Sequence, residues 1–329
     1  MKILALAWEF PPRLVGGIAR HVSELYPEIV ALGHDVHLIT VEFGQAPAYE
    51  RVDNIHVYRV CVDEGRDFLH WVANMNTSMG SKAVELLNYL GSFDLIHAHD
   101  WLVGDAAISL KHHFKIPLIA TIHATEYGRH NGIHTDTQRY VHQKEKDLCY
   151  NAWRIIVCTN YMRHEVARTL HNPWDKIDVI YNGIRPEKKH LPAGFDVQGF
   201  RRRFAQDHEK IVYYVGRMSP EKGVAVLLNA APIVMQHLQG QVKVVLIGGG
   251  NTDRLKQQAW NLGIAQHCLF TGFMPDADLD CFQVVADCAV FPSLYEPFGI
   301  VVLESFAARV PVVVSDTGGL PEVVSHGKT

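Results

Sequence analysis

Cysteine is scarce in this 329-residue chain: six residues (Cys61, Cys149, Cys158, Cys268, Cys281 and Cys288) with no C-x-x-C pair. That spacing argues against a disulfide-stapled scaffold and a zinc knuckle, and it fits a reducing compartment. Long apolar runs are missing as well; none approaches the ~20 residues of a membrane-spanning helix. The opening run from Met1 is too short for a signal peptide and is broken by Glu9, so the expected location is the cytoplasm. There is no surplus of positive charge. A formal net charge of −4 argues against a protein built to neutralise nucleic-acid phosphates. Low-complexity tracts, short-period repeats, a G-x-S-x-G elbow and a cysteine–histidine nucleophile arrangement are all lacking.

What is present is ordinary globular composition, 48% hydrophobic and 20% charged, in a length that predicts two domains. Short apolar, β-branched runs recur from end to end: Ile3–Trp8, Val36–Val41, His56–Val62, Leu95–Ala98, Leu118–Ile122 and Ile155–Cys158. A second set follows at Ile211–Val215, Val242–Ile247, Cys268–Thr271, Ala289–Phe291 and Val312–Val314. Such runs suit parallel strands covered on both faces. Stretches such as Ile18–Leu32, Leu102–Lys115, Glu221–His237 and Ile300–Arg309 read as crossover helices. The expectation is an α/β protein of two doubly wound, Rossmann-like domains, 1–195 and 196–329, facing across a cleft. The polar, turn-rich segment Pro186–Gly194 marks the seam.

The richest stretch is Phe291-Pro-Ser-Leu-Tyr-Glu296-Pro-Phe298-Gly299-Ile300-Val-Val-Leu-Glu304. A strand ends at Phe291, a loop follows, and a helix starting near Ile300 offers free amides and a positive dipole end to an anion. Were the intervening residues helical, eight positions at ~1.5 Å rise would set Glu296 and Glu304 ~12 Å apart. Hydrolytic carboxylate pairs sit closer, at ~5–9.5 Å. The two glutamates therefore read as hydroxyl clamps at the ends of one extended ligand, with a diphosphate between them. A second glycine loop, Trp8-Glu9-Phe10-Pro11-Pro12-Arg13-Leu14-Val15-Gly16-Gly17, follows the first strand and lets backbone approach a ligand. His97-Ala-His99-Asp100-Trp101 and Ile122-His123 fall at predicted strand ends. His97 and His99 point to one face and can share a ligand; the alternatives are a metal, satisfied structural histidines, or the lining of an active site.

The Glu296–Glu304 segment resembles the signature of the retaining family 4 glycosyltransferases, which have the GT-B fold and include glycogen and starch synthases. Gly216-Arg217-Met-Ser-Pro-Glu221-Lys222-Gly223 resembles the family's G-R-x-x-x-x-K-G. The resemblance implies that Arg217 and Lys222 grip the donor diphosphate and offset the charge on the departing phosphate. Gly16 and Gly17 resemble the family's amino-terminal glycine loop. The lysine two residues before that pair in bacterial glycogen synthases is Leu14 here, with Arg13 one step earlier.

The resemblance further implies a donor site of Gly16, Gly17, Arg217, Lys222, Phe298, Gly299, Ile300 and Glu304. Glu296 and His123 lie at the reacting sugar, and His97, His99, Asp100 and Trp101 line the sugar and acceptor site. The implied reaction moves a hexosyl group, glucosyl first, from a nucleotide diphosphate sugar to a hydroxyl acceptor such as a glucan, with no cofactor and no metal. A nucleotide-sugar epimerase and a non-catalytic donor-binding module are the alternatives. Relatives continue past Gly327-Lys328-Thr329 with a further strand and helices, so the carboxyl-terminal part is expected to be truncated.

Overall fold

The apolar runs become strands because each alternates fully covered side chains on two faces: in Lys2–Leu6, Ile3 to Leu6 are all buried. Burying such side chains stabilises the sheet by about 1.5–3 kcal/mol apiece. A computed structural model describes residues 1–329, with every side chain except that of Lys188. The chain divides into two units, Met1–Gly183 and Ile184–Thr329. Pro186–Gly194, read as the seam, thus belongs wholly to the second unit, ahead of the boundary expected at 195. Packing explains the shift: Lys189 Nζ pairs with Asp280 and donates to Gln283 Oε1 at 2.6 Å, and Leu191 and Phe195 pack on the second unit's core.

In the first unit the strands are β1 (Lys2–Leu6), β2 (Asp35–Val41), β3 (Tyr49–Val52), β4 (Ile55–Val60), β5 (Leu95–His99), β6 (Leu118–Ile122), β7 (Arg154–Val157) and β8 (Ile177–Val179). They form one sheet in the order β3-β4-β2-β1-β5-β6-β7-β8, parallel except where β3 pairs antiparallel with β4. Two of these strands are absent from the apolar pattern. Tyr49–Val52 is a polar edge strand joined to β4 across Asp53-Asn54, both at positive φ, and Ile177–Val179 has only three residues. The helix Gly17–Ala31 buries Ile18, Ala19, Val22 and Tyr26, and of these Ile18, Val22 and Tyr26 pack with Ile3, Ala5, Val36 and Val57.

The second unit holds β9 (Lys210–Val215), β10 (Val242–Ile247), β11 (Cys268–Gly272), β12 (Cys288–Phe291) and β13 (Val312–Val314) in the all-parallel order β11-β10-β9-β12-β13. Both sheets reverse direction beside their first strand, at β1/β5 and at β9/β12. Open α/β sheets bind ligands outside the carboxyl ends of the strands at such a switch point. Among the described residues, no helix is long and apolar enough to cross a membrane.

Candidate active site

Around the carboxyl ends of β1, β5 and β6 the first unit gathers a chain of buried and half-buried imidazoles. The Tyr26 hydroxyl bridges His97 Nδ1 at 2.9 Å and His99 Nε2 at 2.8 Å. A hydroxyl carries one proton, so it donates to one ring and accepts from the other. His97 Nε2 then meets Thr121 Oγ1 at 2.8 Å, and His99 Nδ1 meets His123 Nε2 at 3.1 Å. The face shared by His97 and His99 does hold a common partner, and that partner is a tyrosine hydroxyl. His97 has both nitrogens engaged inside the protein, so it supports His99 and offers no nitrogen to a ligand. His21 completes the group, 4.9 Å from the His123 ring between centroids. One nitrogen each of His21, His99 and His123 lies within 4.8 Å of the others, and His21 Nε2 has no hydrogen-bond partner.

Burial fixes the charge state of this group. It pushes His21 down to about 4 and His97 to about 3, and holds His99 and His123 well below the usual imidazole range. All four rings are neutral at neutral pH. Asp100, at the end of β5 with φ 62°, accepts from the His123 amide at 2.7 Å and is 2% exposed. Burial raises its carboxyl to about 7, against the opposing pull of Arg129 and of that amide. Asp100 thus positions the His123 backbone. Trp101 is buried beside the edge of Phe68.

The glycine loop after β1 is already filled by its own carboxylate. Glu9, 1% exposed, accepts from the Val15 and Gly16 amides at 2.7 and 2.8 Å and from Ala19 at 3.3 Å. Those are the amides at the amino end of the helix Gly17–Ala31, where an anion is favoured. Gly16, expected at the donor site, gives its amide to Glu9. Arg13 stands among the rings of Trp8, Trp71 and Phe43, at 5.3, 5.5 and 5.9 Å from their centroids.

In the second unit the site is ionic. The turn after β9 carries Arg217 and, through a short 3-10 turn Pro220–Lys222, Lys222. Lys222 Nζ donates to Glu296 Oε2 at 2.7 Å, and Ser293 Oγ donates to the same oxygen at 3.3 Å. Arg217 Nη2 reaches Glu221 Oε1 at 3.1 Å, and Glu221's carbonyl receives the Leu294 and Tyr295 amides at 2.8 and 3.2 Å. The loops after β9 and β12 are thereby stitched together. Gly223 permits this approach, and Gly248 a similar one between the loops after β10 and β9. A Cβ on Gly223 would lie 1.9 Å from the Pro292 carbonyl oxygen, and one on Gly248 would lie 1.9 Å from that of Gly216.

Gly299, at φ 94°, starts the helix Ile300–Ala307 as the sequence suggests, with Glu304 buried within it and Phe298 4% exposed. Residues 296–299 are not helical, so the ~12 Å helical span does not describe the Glu296–Glu304 separation. The structure thus brings together His99, Asp100 and His123 in one unit, and Arg217, Lys222, Glu296 and Gly299 in the other. Glu9, Tyr26 and Thr121 went unassigned in the sequence. Tyr26 reads there as part of an apolar stripe, and only a polar tip on a core position hints at it. His21, four residues after Gly17, is the signal in the sequence that could have pointed to the group.

Two Rossmann-like units with switch-point sites constitute the GT-B architecture. The sucrose-phosphate synthase of Thermosynechococcus elongatus superposes with a TM-score of 0.81 over 98% of this chain and 83% of its own, at 22% identity. The family model for Glycosyltransferase Family 4 matches residues 15–188, and that for Glycosyl transferases group 1 matches residues 198–329. An uncharacterized glycosyltransferase of Methanocaldococcus jannaschii is 38% identical over 99% of this chain and 83% of its own length. The glycogen synthase of Mycobacterium tuberculosis is 34% identical over 100% of this chain and 81% of its own. The chain belongs to the family 4 glycosyltransferases, enzymes that transfer a sugar from a nucleotide sugar.

Proposed function

We propose that this chain transfers a glucosyl group from a nucleoside diphosphate sugar to a hydroxyl of a glucan, with retention of anomeric configuration. The observation that carries the reading is the 2.7 Å Lys222–Glu296 ion pair at the β9/β12 switch point. It sets a cation beside a carboxylate, next to the amino end of the helix Ile300–Ala307. A diphosphate needs the cation and the helix end; sugar hydroxyls need the carboxylate. The similarity to a glycogen synthase supports glucosyl transfer to a glucan.

In this scheme the bond from the anomeric carbon to the phosphate oxygen breaks, and its electron pair stays on the leaving diphosphate. Arg217, Lys222 and the Gly299 and Ile300 amides stabilise that charge without a metal, as an oxyanion hole does. The acceptor oxygen bonds to the anomeric carbon from the face the phosphate leaves, and its proton passes to a leaving-phosphate oxygen. Glu296 orients the sugar hydroxyls and Glu304 the ribose. His123, neutral and held by Asp100, accepts or donates a hydrogen bond to the reacting sugar. His99 and Trp101 line the sugar side. The test is a panel of nucleotide sugars scored for thermal stabilisation and then for transfer to glycogen or maltooligosaccharides. Arg217→Ala should cut turnover at saturating donor by about a hundredfold or more; a wild-type rate removes Arg217 from the chemistry. Release of an epimer from donor alone would identify an epimerase, and tight donor binding without turnover would identify a binding module.

A further inference from the structure

At the opposite, amino-terminal end of the first sheet, Asp35 and His37 on β2 and His56 on β4 converge. His37 and His56 are register partners on adjacent parallel strands, and Asp35 lies two residues before His37, so all three share one face. The two imidazoles stack with centroids 4.5 Å apart and planes 6° from parallel. Their Nε2 atoms face the two oxygens of one carboxylate, His37 to Asp35 Oδ2 at 3.1 Å and His56 to Oδ1 at 3.7 Å. We propose that Asp35, His37 and His56 form a binding site for a divalent transition-metal ion of the zinc class, with a remaining position open to water.

Spacing supports the assignment first. Ligand atoms about 2.0–2.2 Å from one tetrahedral ion lie roughly 3.3–3.5 Å apart. The two nitrogen–oxygen separations bracket that value, and one donor atom from each residue lies within 4.8 Å of the others. Orientation supports it next. His37 Nδ1 meets the Tyr58 hydroxyl at 3.2 Å, and His56 Nδ1 meets the Tyr49 hydroxyl at 2.9 Å. A partner on the far nitrogen is what orients a metal-binding imidazole and fixes its tautomer. With each Nδ1–H donating to its tyrosine, both Nε2 lone pairs face the Asp35 carboxylate, the tautomer a metal ion would take; without metal the opposite tautomer, tyrosine O–H to Nδ1 and Nε2–H to Asp35, makes the same contacts.

Access and charge agree. Asp35 is 48% exposed and His56 24%, while His37 is buried at the floor. The nearby Lys2 ammonium is held on the Leu90 carbonyl oxygen at 2.8 Å. The other histidine group, His21/His99/His123, is a weaker ligand set: His99 has both nitrogens committed, and no carboxylate belongs to it. The proposed ion ties β2 to β4 and, through the Tyr49 hydroxyl, to the edge strand β3.

The experiment is titration of the purified full chain with Co2+, followed by its visible d–d absorption, and with Zn2+ by calorimetry. The wild type should show saturable binding, and His56→Gln and Asp35→Asn should each lose one equivalent. Their metal-free thermal midpoints should stay near that of the wild type, because both side chains are partly exposed. Tyr49→Phe should weaken binding about tenfold or more while keeping the stoichiometry. No saturable binding by the wild type, or an unchanged number of equivalents in both ligand variants, overturns the proposal.

Discussion

At the switch point of the first unit, β5 carries two neutral, buried imidazoles, His97 and His99, joined through the Tyr26 hydroxyl. At that of the second unit, β9 and β12 end in ion pairs, with Arg217 52% exposed. The same sheet order therefore supports two opposite solvation strategies. Under the proposed function, charge that would meet a diphosphate stays near water, where desolvation costs little. The groups that would meet sugar hydroxyls under that proposal can be buried because they carry no net charge, and His97 and His99 are satisfied by Tyr26, Thr121 and His123. Even the one carboxyl deep in the imidazole group, Asp100, is raised toward neutrality by the same burial.

The contrast breaks most readily at Lys222. Lys222→Ala should lower turnover at saturating donor by about 10²–10³-fold with little change in unfolding free energy; equal losses of stability and rate would make the pair a structural tie. Gly248→Ala should destabilise the second unit by about 2–3 kcal/mol, because a methyl at φ 136° meets the Gly216 carbonyl. Differential scanning calorimetry checks this, and an unaltered transition would mean the loop yields freely. Tyr26→Phe should cost the first unit roughly 1–2 kcal/mol in urea unfolding, since two buried ring nitrogens lose their common partner. Nucleotide binding, if it belongs to the second unit, should survive that change.

The smallest effect is a pH slope with competing parts. Histidines with lowered folded values bind fewer protons than the unfolded chain, so they remove stability as pH falls from about 6.5 to about 4 and below. Asp100, raised to about 7, works the other way: it removes stability as pH rises from about 4 to 7. Glu9 and Glu145, also raised by burial, act with it. Four histidines outweigh them, so denaturation free energy should fall on acidification below about 6.5. Asp100→Asn, which keeps an acceptor for the His123 amide, should steepen that fall; a shallower one would mean Asp100 is ionised in the folded chain.

Legibility followed the kind of signal. Continuous apolar runs such as Val242–Ile247 announced their strands, and Gly299 announced the helix it starts. Polar Tyr49–Val52 gave no such signal, since an edge strand is recognised by its partner β4 and not by its own pattern. A glycine run such as Gly248-Gly249-Gly250 carries little information by itself, yet Gly248 is needed so that the loop after β10 can touch the one after β9. His97 looked like a ligand-facing residue and is in fact enclosed by Tyr26 and Thr121, which come from distant positions.

Residue order alone determined the doubly wound layering, the two units, and the basic turn and glutamate loop that mark the family, because periodicity and short motifs are local. Tertiary structure decided which groups are paired: Glu9 filling the amino end of its own helix, Tyr26 joining two histidines, Lys222 holding Glu296. Such pairings depend on through-space proximity and on the loss of water, and neither is encoded within any short stretch of chain.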